Sequence, residues 1–139
     1  MNYLLDTCVL SEFTRPRPDR RLILWLDSVD EERLFLSVIT IGEIQRGIAR
    51  LPECRRKTEL FTWMNDALLE RFTQRIVELD ARTMLLWGSL TADAETSGHP
   101  LPVMDSLIAA SALRHDMAIT TRNVVDYLPC GVQVANPWE

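Results

Sequence analysis

The chain has 139 residues, of which 47% are hydrophobic and 25% are charged, and its formal net charge is -5. This length suits a single domain spanning residues 1–139, and the composition excludes a disordered, collagenous or disulfide-built protein. No apolar run is long enough to span a bilayer, and the N-terminal segment lacks the features of a signal peptide, so we expect a cytoplasmic protein with no membrane contact.

Short apolar runs alternate with amphipathic segments along the chain. The apolar runs predict five strands, at residues 3–5, 33–37, 76–79, 118–121 and 132–134. The intervening segments predict six helices, at residues 7–14, 19–29, 40–51, 53–74, 80–97 and 103–115. Because helices separate the strands, we expect a three-layer α/β/α fold around a short, mostly parallel sheet.

Four polar residues fall at the predicted carboxyl edge of this sheet, where such folds place their active sites. Asp6 directly follows the first strand, and Asn123 follows the fourth. Glu43 and Asp105 each lie in the first turn of a predicted helix. Taken singly, each acid has an ordinary explanation: Asp6 can cap a helix, and Asp105 can complement a helix dipole. Glu43 matches a capping box that begins at Thr40.

The combination of these residues is more informative than any one of them. Carboxylates packed closely together repel one another and raise each other's pKa. A divalent cation removes this conflict, and oxygen ligands suit a hard ion such as Mg²⁺ or Mn²⁺. Such an ion lowers the pKa of a bound water and neutralises charge on a phosphoryl oxygen. The pattern therefore favours metal-assisted phosphoryl chemistry.

The distribution of charge bears on a nucleic-acid partner. The overall acidity argues against one, but residues 1–57 hold ten basic and nine acidic residues, whereas residues 58–139 hold five and eleven. Basic side chains cluster at residues 15–21 and 46–57. Either cluster is able to contact phosphates, but from charge alone the favoured interpretation is two solvated helix faces.

Four motifs in chain order carry a resemblance to a known family. They are Leu4–Glu12 (LLDTCVLSE), Ser37–Ile48 (SVITIGEIQRGI), Asp105–Ala112 (DSLIAASA) and Thr120–Tyr127 (TTRNVVDY). Together they resemble the motifs of PIN-domain ribonucleases of the VapC toxin type, with the FitB-like proteins as the nearest subgroup. The resemblance spans essentially the whole chain and implies a PIN-like fold and Mg²⁺-dependent cleavage of RNA phosphodiester bonds.

The resemblance also assigns roles to the four edge residues. Asp6 and Asp105 match the principal metal ligands. Glu43 matches the third acid, which binds the metal or orients the nucleophile, and Asn123 matches the fourth position. The implied reaction is attack of a metal-activated water on phosphorus, which leaves a 5′ phosphate and a 3′ hydroxyl.

Supporting residues follow from the same comparison of motifs. Thr7 and Ser11 match family positions near the site, and Asp126 is a candidate for the charge that Asn123 lacks. Thr120 or Thr121 is expected to hydrogen-bond the acids. Cys8 stands where the family usually has Asn, which predicts altered support for Asp6 rather than loss of activity.

The family also implies partners. They are an RNA substrate, a second copy of the chain in a homodimer, and a small VapB-like antitoxin through which the complex contacts DNA. The alternative interpretation is a non-catalytic PIN-like module that binds nucleic acid or protein. Such a module would lack at least one metal acid, whereas this chain keeps three.

Overall fold

The computed structural model describes residues 1–139. Its five strands are β1 (Asn2–Leu5), β2 (Leu34–Ser37), β3 (Ile76–Val77), β4 (Met117–Thr120) and β5 (Val134–Ala135). Its α-helices are α1 (Thr7–Glu12), α2 (Arg20–Ser28), α3 (Val38–Ala49), α4 (Arg55–Thr62), α5 (Leu69–Arg71), α6 (Ala81–Thr96), α7 (Val103–Arg114) and α8 (Val124–Tyr127). A π-helical segment at Trp63–Leu68 joins α4 to α5, and 3₁₀ turns lie at Glu31–Arg33 and Leu128–Cys130.

The strands form one sheet in the order β3-β2-β1-β4-β5, and every neighbouring pair is parallel. The predicted three-layer α/β/α PIN-like fold is confirmed. β1 lies at the centre, where Leu4 pairs with Ile119 and Leu5 with Thr120. The order of the strands reverses between β1 and β4, and the crevice at such a switch point is where open α/β sheets bind their ligands.

Side chains alternate between the two faces of the sheet, as the pleat requires. Leu5 belongs to a buried cluster with the helices of one face, which includes Leu10 of α1 and Ile44 of α3. Leu4 belongs to a second cluster on the opposite face, with Ile108 of α7. The central strand is thus buried on both sides, and its carboxyl end is held rigidly between two helical layers.

The predicted continuous helix at residues 53–74 is wrong in its middle part. Met64, Leu68 and Phe72 are all buried at intervals of four residues, and in an α-helix this spacing rotates each side chain by about 40° from the one before. The π-helical segment, in which the amide of Leu69 donates to the carbonyl of Met64, widens the turn. The three side chains therefore stay on one face against the core.

The start of α3 also differs from its prediction. Ser37, not Thr40, is the N-cap, and its hydroxyl accepts a hydrogen bond from the Ile39 amide at 3.0 Å. Thr40 lies inside the helix, fully buried, and its hydroxyl has no partner. The predicted capping box is therefore absent, and Glu43 lies in the second turn of α3, facing the sheet edge instead of the helix terminus.

The remaining predicted boundaries agree with the structure to within a few residues, while α8 and the two 3₁₀ turns were not expected. Asp80 caps α6 as predicted, since its side chain accepts a hydrogen bond from the Thr83 amide at 2.8 Å. No helix combines the length and the apolar character needed to cross a membrane.

The difference between Ser37 and Thr40 yields a stability prediction. Ser37→Ala removes the cap and should lower the free energy of unfolding by about 1 kcal/mol. Thr40→Val removes a buried, unpaired hydroxyl and should leave that free energy unchanged or raise it by up to about 1 kcal/mol. Urea unfolding of both variants beside the wild type measures the two effects. A loss of stability in Thr40→Val that matches that of Ser37→Ala would contradict the observed cap.

Candidate functional site

Asp6 occupies the switch point at the end of β1 and is 6% exposed. Its amide donates to the carbonyl of Thr120 at 3.0 Å, which ties it to the end of β4. One carboxylate oxygen accepts a hydrogen bond from the Thr7 amide at 2.8 Å, and the other accepts one from the Thr121 hydroxyl at 2.8 Å. Each oxygen is therefore oriented by one donor and keeps a lone pair for a further ligand.

Thr121 is held in place by its own neighbours. Its hydroxyl oxygen accepts a hydrogen bond from the backbone amide of Asn123 at 3.0 Å and lies 3.5 Å from the Cys8 sulfur. Because the single hydroxyl hydrogen of Thr121 goes to Asp6, the Cys8 thiol is the donor in that contact. The same sulfur accepts the Arg122 amide at 3.5 Å. Cys8 thus supports Asp6 through Thr121, in the position where the family usually has Asn.

Glu43 approaches the same edge from α3. One of its carboxylate oxygens accepts a hydrogen bond from the Thr7 hydroxyl at 3.2 Å, so Thr7 contacts two acids, Asp6 through its amide and Glu43 through its side chain. Partial burial raises the pKa of Glu43, and the negative charges of Asp6 and Asp105 raise it further. Its carboxylate is therefore a better proton acceptor than an exposed glutamate.

Asp105 lies in the first turn of α7, as predicted, and is partly buried. Burial raises its pKa, followed by the charges of Asp126 and Asp6. The structure therefore brings Asp6, Glu43 and Asp105 together from three separate segments of the chain. For Glu43 and Asp105, burial is the larger cause of the raised pKa, and the neighbouring negative charges add to it.

Asn123 and Asp126 differ in their relation to these acids. Asn123 precedes α8 and is exposed, and its side chain makes no hydrogen bond. Asp126 is also exposed, but its charge acts directly on Asp105. The two residues are linked through the backbone, because the Asp126 amide donates to the Asn123 carbonyl at 3.2 Å. Asp126 is thus the nearer source of a fourth charge.

Two of the predicted supporting residues, Thr120 and Ser11, make fewer contacts with the acids than Thr7 does. The Thr120 hydroxyl is buried without a partner, and the residue contacts Asp6 through its carbonyl alone. The side chain that reaches Asp6 is that of Thr121, because successive side chains leave a strand on opposite sides. Ser11 is exposed on α1, and its carbonyl accepts the Thr14 hydroxyl at 2.7 Å.

Tyr127 is a residue of this edge that the sequence analysis did not select. Its side chain is 1% exposed, and its hydroxyl lies beside Asp6 and Asp105 without a hydrogen bond of good geometry to either. Burial and these negative charges raise its pKa well above the usual value. A usable signal was present, because Tyr127 stands where the family motif has Phe and so adds a hydroxyl next to the acids.

The chemistry of this edge suits a divalent cation. All the converging groups are oxygen donors, and Mg²⁺ takes one or two carboxylates while keeping several waters. No three acidic, histidine or cysteine side chains lie close enough together to hold a metal ion by themselves, so a cation at this edge would take most of its ligands from water. The raised pKa values of Glu43 and Asp105 record a repulsion that a bound cation would relieve.

Comparison with known proteins agrees with this geometry. The PIN domain family matches residues 3–124. Toxin FitB of Neisseria gonorrhoeae is 35% identical over 135 residues, which cover 97% of this chain and 97% of that protein. VapC ribonuclease Y4jK of Sinorhizobium fredii is 33% identical over 136 residues, which cover 98% of this chain and 97% of that protein.

A solved structure gives the same result in three dimensions. The structure of FitAB bound to a DNA fragment superposes with a TM-score of 0.91 at 36% identity, covering 99% of this chain and 96% of the matched chain. The positions of Asp6, Glu43, Asp105 and Asn123 fall within the matched range, residues 3–124. On the basis of sequence, fold and the arrangement of these residues, the chain belongs to the PIN domain family.

Proposed function

We propose that this protein is a metal-dependent endoribonuclease toxin, which hydrolyses RNA phosphodiester bonds and is inhibited by a cognate antitoxin. The observation that carries the proposal is the convergence of Asp6, Glu43 and Asp105 at the switch point of the sheet. Relatives that match nearly the full chain are named a toxin and a ribonuclease, which supports the same activity.

Asp6 and Asp105 are the principal metal ligands in this proposal, and Glu43 is the third. Divalent-metal dependence is general among PIN-domain nucleases, and we assign Mg²⁺ as the ion, with Mn²⁺ as a substitute. The oxygen-only donor set and the free lone pairs of Asp6 support this choice. Asp126 supplies additional negative charge beside Asp105, while the backbone amide of Asn123 donates a hydrogen bond that orients the Thr121 hydroxyl.

A divalent cation held by Asp6 and Asp105 would neutralise charge on a phosphoryl oxygen and lower the pKa of water at the site. The protein's own residues then divide the remaining work. Glu43, with its raised pKa and its hydrogen bond from Thr7, orients the attacking water and accepts its proton. In-line attack on phosphorus leaves a 5′ phosphate and a 3′ hydroxyl.

The partners follow from the relatives. The matched structure is an assembly, FitAB, on a DNA fragment. We propose a corresponding VapB-like antitoxin for this chain, with DNA contacted only through that complex, and a homodimer of the toxin. Single-domain organisation over residues 1–139 and activity in the cytoplasm, where RNA and antitoxin meet, belong to the same proposal.

RNA cleavage by the purified, antitoxin-free protein tests the function. We expect cleavage with Mg²⁺ or Mn²⁺, none with EDTA, and a loss of more than about 100-fold in Asp6→Asn and in Asp105→Asn, which exceeds the usual cost of disturbing outer-shell partners. The exposed Asp66 of the π-helical segment provides the control, since Asp66→Asn should cleave normally.

The outcomes of this assay separate the alternatives. RNA binding without cleavage would support the non-catalytic module instead. Cleavage that survives both substitutions would place the active site elsewhere or indicate a contaminant. Product ends test the reaction itself, because a 2′,3′-cyclic phosphate would identify the RNA 2′ hydroxyl, rather than water, as the nucleophile.

The repulsion among the acids predicts a gain of stability in one of the inactive variants. Without metal at neutral pH, Asp105→Asn should unfold at higher urea than the wild type, because it removes a charge whose pKa is raised by burial and by its neighbours. That cost exists only while Asp105 is ionised, so the difference should shrink as the pH falls to about 4, the ordinary range of an aspartic acid.

Mg²⁺ should reverse this order of stability, so that the wild type becomes more stable to urea than Asp105→Asn. At about 100 times the dissociation constant, Mg²⁺ should stabilise the wild type by about 2.7 kcal/mol and Asp105→Asn by much less. Asp66→Asn should follow the wild type under both conditions. Equal stabilisation of wild type and Asp105→Asn by Mg²⁺ would remove Asp105 from the metal site.

The hydrogen bond from Thr121 to Asp6 predicts a graded series of variants. Thr121→Val should lower Mg²⁺ affinity about 10- to 100-fold, as loss of an outer-shell partner does, whereas Thr121→Ser should keep it. Cys8→Ser keeps a donor to Thr121 and should bind Mg²⁺ with the affinity of the wild type. Cys8→Ala should have an affinity between those of the wild type and Thr121→Val. Calorimetric titration with Mg²⁺ measures all four, and normal affinity in Thr121→Val would exclude the proposed support.

A further inference from the structure

Glu43 stands between two grooves on the surface of α3. The first, here called the apolar groove, lies between α1, α3 and α4 with a volume of about 210 Å³. Its apolar walls are Ile44, Ile48, Leu51, Leu60 and Trp63. The second, here called the basic groove, lies between α3 and the start of α7 with a volume of about 310 Å³. It is lined by Val38, Ile39, Gly42, Glu43, Arg46 and Met104.

Arg46 gives the basic groove its character. It follows Glu43 by three residues on α3, so the two side chains lie on one face of the helix, about 5–6 Å apart at their Cβ atoms. Arg46 is exposed and makes no ion pair or side-chain hydrogen bond, whereas Arg55, Lys57 and Arg71 are engaged by glutamates. All the donors of its guanidinium are therefore free for a ligand beside the acidic edge.

We infer that the basic groove binds the RNA strand and that Arg46 contacts the phosphate next to the one being cut. This inference rests on the proposed ribonuclease function and deepens it. An arginine binds phosphate bidentately, and one helical turn separates this arginine from Glu43. The apolar side chains of Ile39 and Met104 flank the groove and offer a surface to the bases without reading their edges.

The apolar groove is the weaker candidate for RNA. No cationic side chain lines it, and its polar groups are Glu43 and the hydroxyls of Thr7, Ser11 and Thr14. In a chain with net charge -5, a phosphate that approaches Asp6, Asp105 and Asp126 meets like charge unless a cation lies nearby. Of the two grooves, the basic groove alone meets this requirement.

Two glycines of α3 provide a matched pair of probes. Gly42 lines the basic groove, and Gly47 lines the apolar groove. A Cβ atom added at either position would meet no atom within 4 Å, and both lie within the helix, where a side chain is better tolerated than glycine. Gly42→Leu and Gly47→Leu therefore each place a side chain in one groove, at a position where its Cβ atom meets no neighbouring atom.

The role of the Arg46 charge in RNA binding is tested with Arg46→Gln, and Arg50→Gln is the control. Arg50 is the exposed residue that ends α3, with no ion pair and no place in either groove. Anisotropy with a labelled single-stranded RNA of mixed sequence should show about tenfold or greater weakening for Arg46→Gln. The slope of log affinity against log salt concentration should become shallower by about 0.7, the value for one phosphate contact on a single strand. Arg50→Gln should match the wild type. In cleavage assays, Arg46→Gln should raise KM more than it lowers kcat.

The grooves are tested with the two leucine variants in the same binding assay. Gly42→Leu should weaken RNA binding about as much as Arg46→Gln, and Gly47→Leu should leave it unchanged. The opposite pattern would put RNA in the apolar groove and overturn the inference while leaving the ribonuclease function intact. Equal affinity in Arg46→Gln and Arg50→Gln would overturn it as well. A wild type that neither binds nor cuts RNA would overturn both proposals.

Discussion

The parallel pairing of β1 with β4 fixes the point at which the acids of the candidate site converge. The two strands meet with Leu5 opposite Thr120, and the chain continues at once into Asp6 on one side and Thr121 on the other. Two hydrogen bonds then join Asp6 to the end of β4 and the residue after it: the Asp6 amide donates to the Thr120 carbonyl, and the Asp6 carboxylate accepts from the Thr121 hydroxyl. Because β1 is the central strand and is buried on both faces, Asp6 cannot move without disturbing both layers of helices. Glu43 and Asp105 are brought to this fixed point by α3 and α7, which follow β2 and precede β4.

This arrangement holds like charges together in a partly buried place, which opposes folding of the metal-free chain. Burial and mutual repulsion act in the same direction on Glu43 and Asp105. The surrounding hydrogen bonds offset part of this cost by stabilising the ionised carboxylates. Thr7 donates to both Asp6 and Glu43, and the Thr121 hydroxyl donates to the second carboxylate oxygen of Asp6. These hydrogen bonds orient the carboxylates of Asp6 and Glu43 without any cation, so the proposed metal site would need less reorganisation of these two residues on binding.

Local sequence patterns predicted the strands and the acidic edge, because these depend on period and on position relative to a strand. Leu4 and Leu5 entered opposite cores as a two-residue period requires. Sequence patterns gave a wrong prediction where two local backbone structures fit the same residues. Ser37 and Thr40 are both good caps, and in the structure α3 begins directly after β2, at Val38, which makes Ser37 the cap and places Thr40 inside the helix. The four-residue spacing of Met64, Leu68 and Phe72 fits a helix, but only tertiary packing selects the π-helical turn. The contact of Cys8 with Thr121 joins residues more than a hundred positions apart, and no local rule reveals it. Tyr127 could have been selected from the sequence, because it stands where the family motif has Phe.

Glu43 lines both grooves of α3, and this shared wall has a thermodynamic consequence. A ligand that engages or displaces Glu43 from one groove changes the free energy of binding in the other, and linkage requires the effect to be reciprocal. An inhibitor seated against the apolar walls would therefore loosen RNA by the same factor by which RNA loosens the inhibitor. Release of the toxin would then depend on the supply of its own substrate as well as on the loss of its partner. One carboxylate between two adjoining sites is sufficient to couple them, with no movement of the backbone.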